Sequence, residues 1–476
     1  MAAAPSRDTE LFDALPEQIA PERPVQDKPR LRKAERRQVK LRAVCLDDLI
    51  PADHRVRMVW QFVEGLDLSQ LLAEIKAVEG QAGHPPADPR IMVALWLYAT
   101  TEGVGSAREV ARLCDDHIGY QWLCGGVGMN AKTLSDFRVG HDQILERLLV
   151  DSFTALVKAG VASLDRVAQD GVRVRASAGA ASFRRDSTLQ ECRQEAEKAV
   201  LNLRAELVTD PGAFSRRQAA ARKRAAEERE SRVLAALAVT EELLAQQAEK
   251  ARKEVEREAV RMAKKGADKS AGEGELVNAK PKERPKEPRA STTDSQARVM
   301  KMPDGGFRPA YNVQFASDTK SGAIAGVSVD NIGSDKGKMA PMNDALAADY
   351  GERPRQHLAD GGFVKFDDIS ALTKAGVVTY LPVAAPRGDP TADRHAPRPN
   401  DEAEIVEWRE RMATDEAKAI YKERAQTAEC ANAQARNRGL TQFVVRGLKK
   451  VRASARWYAL AHNMACTWRL MPVQPV

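Results

Sequence analysis

The chain has 476 residues, 43% of them hydrophobic and 30% charged, enough for about three structural units with a sizeable core. Its net charge of +7, from 74 Lys and Arg against 67 Asp and Glu, points to a polyanionic partner only where the basic residues cluster. The longest strongly apolar stretch, residues 91–100, is far short of the roughly 18 residues of a spanning helix, so no membrane partner is expected.

The N-terminus carries Asp8, Glu10 and Asp13 and no apolar run, so it does not read as a secretory signal. Six cysteines show no C-x-x-C pair and no zinc spacing, which fits free thiols in a reducing cytoplasm. Residues 1–45 read as a mobile arm ending in a basic run: Lys28, Arg30, Arg32, Lys33, Arg36, Arg37, Lys40 and Arg42 are opposed only by Glu35. Such a run tracks a phosphate backbone or forms a solvated helix face.

Residues 46–160 read as all-helical. Apolar spacing near 3.6 recurs at Met58, Val59, Phe62, Val63 and Leu66, and residues 91–98 are apolar on nearly every face. Ser106 with Glu109 forms a capping box that starts a helix through Leu113. Glycines 125, 126 and 128 break it, and a second helix begins near Thr133. This pair, bearing Lys132 and Arg138, is a candidate helix-turn-helix DNA reader; its rival is a structural helix pair.

From residue 161 the period changes. Arg166–Arg175 alternates and is β-branched, the mark of a strand. Residues 188–265 form a helical hairpin insertion, broken at Asp210-Pro211-Gly212. Its second helix has a weak coiled-coil seam at Leu234, Leu237, Leu244, Ala248, Ala251, Val255 and Met262, and is expected to project as a spacer or interaction arm. Residues 266–296 read as a flexible linker. Strands follow at 309–316 and 324–330, joined by Ser321-Gly322 as a hairpin, then at 355–360 and 376–383. Helices are expected at 366–374, 401–412, 415–438, with Gly439 as C-cap, and 444–470. The order predicts an α/β fold, a mixed sheet with flanking helices, in which 161–187 and 297–476 make one discontinuous domain.

Three acids stand where such a sheet brings them together. Asp170 lies on the first strand, Asp360 ends a later strand, and Glu429 sits midway along a long helix. Carboxylates are hard ligands suited to Mg²⁺ or Mn²⁺, and two such ions serve phosphodiester chemistry. Asp330, at another strand end, and Glu423, on the same helix as Glu429, are rival choices.

The strings Gln169-Asp170-Gly171-Val172-Arg173-Val174-Arg175-Ala176, Tyr311-Asn312-Val313-Gln314 and Leu358-Ala359-Asp360-Gly361-Gly362-Phe363 resemble those of bacterial insertion-sequence DDE transposases. So do the run from Tyr421 to Glu429, Asn437-Arg438-Gly439-Leu440 and the run from Arg446 to Val451. The family's tyrosine, arginine, glutamate and lysine signature falls on Tyr421, Arg424, Glu429 and Arg436. The resemblance implies an RNase H-like catalytic domain, two divalent metal ions held by Asp170, Asp360 and Glu429, and DNA contacts from Tyr421, Arg424 and Arg436. It also implies double-stranded transposon-end and target DNA as substrates, an N-terminal helical DNA-binding domain, and a homo-oligomer acting on DNA. Arg436 stands where many members carry lysine, and Cys430-Ala431-Asn432-Ala433 departs from the usual Pro and Phe-Gly. An inactive DNA-binding relic or repressor is the alternative to an active enzyme. A stand-alone RNase H-like nuclease is disfavoured by the long basic N-terminal region.

Overall fold

The structure, a computed structural model, describes residues 43, 45–78, 84–209, 215–267, 287–385 and 393–471, without the side chains of 207, 216, 217 and 261–267. Arg36, Arg37 and Lys40 lie outside the described residues. Residues 46–476 cluster as one unit and residues 1–45 as another.

Seven helices come first: α1 (Arg55–Glu64), α2 (Ser69–Ala73), α3 (Pro89–Thr101), α4 (Ala107–Asp116), α5 (Ile118–Cys124), α6 (Ala131–Gly140) and α7 (Asp142–Lys158). Asp88 caps α3 by accepting from the Arg90 N–H, and Pro89 supplies a preset φ at its first turn. The helix is buried on all sides, as its unbroken apolar run requires. Ser106 caps α4 as expected. The expected helix-turn-helix is instead a three-helix element, because α5 stands between α4 and the glycine break. Gly125 ends α5 in the left-handed region at φ +55°.

The sheet contains β1 (Arg166–Arg175), β4 (Arg298–Lys301), β5 (Phe307–Asp318), β6 (Ile324–Asp330), β7 (Gln356–Leu358) and β8 (Val378–Tyr380). β5 lies antiparallel to β1, while β7 and then β8 run parallel on the other side; β4 and β6 share the outer edge of β5. This is the mixed, RNase H-like order expected. Between β1 and β5 the chain adds β2 (Phe183–Arg184), α8 (Asp186–Thr209), α9 (Arg216–Ala267) and β3 (Ala290–Ser291), with β2 and β3 paired. The helices α10 (Met339–Tyr350), α11 (Phe366–Lys374), α12 (Ala403–Ala413), α13 (Asp415–Arg424), α14 (Cys430–Asn437) and α15 (Leu448–Leu470) complete the fold. Gly439 follows α14 with φ +88°, a left-handed exit.

The hairpin insertion is present, but its seam is displaced. Val233, Ala236, Leu237 and Thr240 are buried, whereas Leu234, Leu244 and Val255 are exposed. Of the expected seam positions with described burial, only Leu237 belongs to that core. At 1.5 Å per residue α9 runs about 78 Å against about 36 Å for α8, so its distal part extends beyond its partner helix.

Helix α15 holds the architecture together. Its Ala453, Trp457, Leu460, Ala461 and Met464 belong to the core of the N-terminal helices, and its Val451, Ala455 and Ala459 to the core under the sheet. Asp142 at the start of α7 accepts from both Arg452 and the buried Arg456.

Candidate active site

β1 ends its pairing with β7 at Ala168 and Leu358, so Asp170 and Asp360 emerge side by side at one end of two parallel strands. Asp360 then caps the next turn, accepting from the Gly362 N–H at 2.8 Å. Asp170 accepts from the Gly171 N–H at 2.8 Å and from Asn432 Nδ2 at 2.9 Å. Burial raises the Asp170 carboxyl above the ordinary carboxylate range, and the charge of Asp360 pushes the same way; the Gly171 N–H, Arg424 and Asn432 oppose them.

The helix above is not regular. Between α13 and α14, residues Ala425–Glu429 form a π turn. It places Arg424 and Glu429, five residues apart, in line, with Arg424 Nη2 donating to Glu429 Oε1 at 3.1 Å. Single π turns inside α-helices recur at functional sites. The Arg424 guanidinium also lies over the Tyr421 ring, 5.7 Å from its centroid. Burial pushes the Tyr421 hydroxyl up, and Asp360 and Asp170 push the same way while Arg424 opposes. Arg166, at the start of β1, fastens α13 with two bonds to Glu423, at 2.6 and 2.7 Å. The structure therefore brings Asp170, Asp360, Tyr421 and Arg424 together, with Glu429 bonded to Arg424. Arg436 is exposed on α14.

The two rival acids are engaged elsewhere: Glu423 with Arg166, and Asp330 with Lys338 Nζ at 2.7 Å. Lys132 is exposed and paired with Asp136, 2.5 Å away. Arg138 is turned inward. It is 7% exposed, donates to the Gly105 carbonyl and lies 4.7 Å from the Trp96 ring centroid. Burial lowers its pKa to about 10. Its side chain therefore serves the fold of the helical region rather than an outer face.

Three features of the site escaped sequence reasoning: Asn432, the π turn and Asp335. Asn432 holds Asp170 from a position where the usual family string is interrupted. The π turn leaves no mark in apolar spacing. Asp335, in the loop between β6 and α10, takes 2.7 and 2.6 Å bonds from Asn312 Nδ2 and Gln314 Nε2 on Oδ1. Its Oδ2 faces Arg173 at 3.6 Å. Both Asp335 and Asp360 reach within 4 Å of the point where a Gly362 β-carbon would stand. The strings containing Gly171, Asn312 and Gln314 therefore form one cradle for this fourth carboxylate. The signal was their co-occurrence; the acid they hold lies in a loop with no pattern of its own.

Among the described residues, no three His, Cys, Asp or Glu side chains stand close enough to hold one metal ion. Glu429 is paired with Arg424 instead. The donor chemistry nonetheless fits a hard divalent cation: the acids offer only oxygen, and the like charges of Asp170 and Asp360 crowd each other.

Residues 44–139 match the family described as Transposase domain (DUF772), and residues 391–468 match the Transposase DDE domain. The second match contains Tyr421, Arg424, Glu429 and Arg436 but neither Asp170 nor Asp360. No curated protein and no solved structure matches the chain. Among the described residues no helix is long and apolar enough to cross a membrane.

Proposed function

We propose that this chain, which belongs to the transposase family through its N-terminal transposase domain and its C-terminal DDE domain, binds transposon ends, cleaves their phosphodiester bonds and joins the freed 3′-hydroxyl to target DNA. The observation that carries this reading is the meeting of Asp170 and Asp360, on the neighbouring inner strands β1 and β7, with Tyr421 and with Arg424, which bonds Glu429.

In this reading Asp170, Asp360 and Glu429 are the catalytic acids and would hold two Mg²⁺ or Mn²⁺ ions. Such ions, when bound, activate an attacking oxygen and stabilise a leaving one. The chain's own residues do the rest. Asn432 and the Gly171 N–H fix the Asp170 carboxylate in one orientation, and the Asp360 cap fixes its neighbour. Arg424 keeps Glu429 in register with them and offers its remaining N–H groups to a phosphate. Arg436, about 10 Å farther along the helix on nearly the same face, reaches a neighbouring phosphate. Lys132 and the basic residues Arg36, Arg37 and Lys40 contact the duplex outside the site, and the protein works as a homo-oligomer on DNA.

Replacing Asp360 by Ala tests this. Cleavage of an end-containing duplex in Mg²⁺ is lost, while duplex binding and the melting temperature stay near wild type. Cleavage at the normal rate by that variant overturns the assignment. The Arg424–Glu429 pair favours a second reading, a DNA-binding relic whose third acid is tied up. It predicts no metal-dependent cleavage by the wild-type chain and no rise in its melting temperature on adding Mg²⁺.

A further inference from the structure

The insertion meets the body of the protein around a cavity of about 510 Å³. Four arginines line it: Arg184 on β2, Arg229 and Arg232 on α9, and Arg446 from the loop before α15, together with Thr292 and Thr293. No carboxylate is among the described residues that line it. Glu195 lies 3.3 Å from Arg229 and Glu228 lies 2.9 Å from Arg232, and neither acid lines the cavity. Both acids are mostly exposed, so the pairs are solvent-screened and weak.

The walls of this cavity are built. Leu189, Val233, Ala236, Leu237 and Ala290 pack into a small core that seats both insertion helices on β3. The threonine loop is pinned by Ser291 Oγ, which accepts from the Thr293 and Asp294 N–H groups, and by Thr292 N–H donating to the Ser182 carbonyl. Arg446 is anchored by its Nε on the Ser177 carbonyl at 3.3 Å, which leaves its terminal nitrogens for another partner. Converging arginine forks and hydroxyls with no carboxylate between them match a phosphate group in charge and in donor geometry.

The cavity's position says which phosphate. The segment leading to Arg446 pairs with the end of β1: Gln442 bridges Arg175, and Phe443 N–H donates to the Arg175 carbonyl. Arg175 is five residues beyond Asp170 on an extended strand, about 17 Å. The cavity therefore lies past the C-terminal end of β1, on the side away from the β7 pairing.

We infer that this cavity is a binding site for the phosphate backbone of double-stranded DNA, seated beyond the C-terminal end of β1 from Asp170 and Asp360. The inference rests on the DNA-processing reading for the identity of the polyanion. It makes the insertion a DNA clamp rather than a passive arm.

The test uses the full chain and a fluorescein-labelled duplex of arbitrary sequence, about three helical turns long. Binding is followed by anisotropy over a range of KCl. Arg229→Gln with Arg232→Gln weakens binding and lowers the slope of log Kd against log[KCl] by about two, one for each phosphate contact. Lys250→Gln with Lys253→Gln removes the same charge about 30 Å farther along α9 and leaves the slope unchanged. An unchanged slope in the arginine variant, or an equal loss in the lysine variant, overturns the proposal. A second readout does not depend on substitution of the arginines. With Cys45 and Cys430 replaced by serine, maleimide labels Cys192, which also lines the cavity, and the duplex slows that labelling several-fold. Slowing by inorganic phosphate but not by duplex would assign the cavity to a free anion and sink the DNA assignment. Neither readout involves cleavage. Normal cleavage by Asp360→Ala would therefore remove the catalytic reading without touching this one.

Discussion

Replacing Gly171 by Ala is the sharpest perturbation of the site that leaves every acid in place. Gly171 faces away from Asp170's neighbours, toward Asp335. A β-carbon there would stand less than 3.0 Å from both Gln314 Nε2 and Asp335 Oδ1, and 3.0 Å from Asn312 Oδ1. Non-bonded atoms prefer about 3.5–4.0 Å, so the amide and the carboxylate must each retreat by roughly 1 Å. None of the three is a free chain end. Gln314 is held by Gln169, Asn312 also donates to the Ile332 carbonyl, and both amides bond Asp335. Overpacking costs about 1–3 kcal/mol, and a lost hydrogen bond to a charged group about 1.5–3 kcal/mol. A loss of about 2.5–6 kcal/mol follows. At roughly 2.1 cal/mol/K per residue over residues 46–476, that lowers Tm by about 3–7 °C. Differential scanning calorimetry measures this shift, and a cleavage assay in Mg²⁺ reports the accompanying loss of rate as Asp335 moves relative to Asp360. Gly179→Ala, with no atom within 4 Å of its added β-carbon and an ordinary φ of −82°, is the control and changes neither. A Gly171→Ala protein with wild-type Tm and wild-type cleavage would refute the cradle argument.

Other substitutions separate chemistry from structure. Asp170 has a folded-state pKa above its ordinary value of 3.8, chiefly through burial, so the folded chain binds that proton more tightly than the unfolded chain. Ionising it therefore costs stability as pH rises from about 3.8 through the raised value, and Asp170→Asn removes that part of the pH–stability curve while abolishing cleavage; an unchanged curve would contradict the burial argument. Arg138→Ala empties a buried cation site against Trp96 and lowers the urea midpoint, by about 2–4 kcal/mol of stability, with the salt slope of DNA binding unchanged. A slope reduced by about one would instead make Arg138 a phosphate contact. Arg436→Ala melts normally but cleaves and joins more slowly, and Arg436→Lys keeps most activity because a point charge still serves a single phosphate; wild-type cleavage by Arg436→Ala across salt would remove its phosphate role.

The sheet was legible from its β-branched runs and their Gly and Ser boundaries, not from burial: β5 is buried almost throughout and β6 only at its first three residues. β1 falls at Arg166–Arg175 as its alternating sequence implied, and β6 at Ile324–Asp330 as the Ser321-Gly322 turn implied. Helix α11 likewise occupies Phe366–Lys374, bounded by Gly376. The insertion's register was not legible. In a helix so rich in alanine, Leu234 and Val233 satisfy the same spacing, and contact with Leu189 and Ala290 decides between them in favour of Val233. Those contacts are non-local, so they leave no trace in spacing. β2 and β3, two residues each, exist only because they find one another across 106 residues of separation between Arg184 and Ala290. At the site, Asp170 could be placed on the first strand and Asp360 at the end of a later one, and the rivals Asp330 and Glu423 could be discounted only by their ion pairs with Lys338 and Arg166. Arg138 reads as basic in sequence whether it faces DNA or Trp96.

The same non-locality bears on how the N-terminal helices are joined to the sheet. A chain ending near residue 160 would contain every N-terminal helix, yet it would leave open the face that Trp457, Leu460, Ala461 and Met464 cover, and Asp142 would lose both arginine partners. The helical region is therefore completed by the last helix of the sheet domain. That helix also packs beneath β5 and β6, and Asn463 bonds the backbone of Ile324 on both sides, accepting from its N–H and donating to its carbonyl. Phe153 and Leu156 of α7 pack with Val167 of β1, three residues from Asp170. Under the proposed function, a duplex gripped by the helical region would be held at a fixed distance from the acids by these shared cores. Positioning of this kind is the main thing a protein contributes to phosphoryl transfer. It explains why the N-terminal helices and the carboxylates are built on one packed unit.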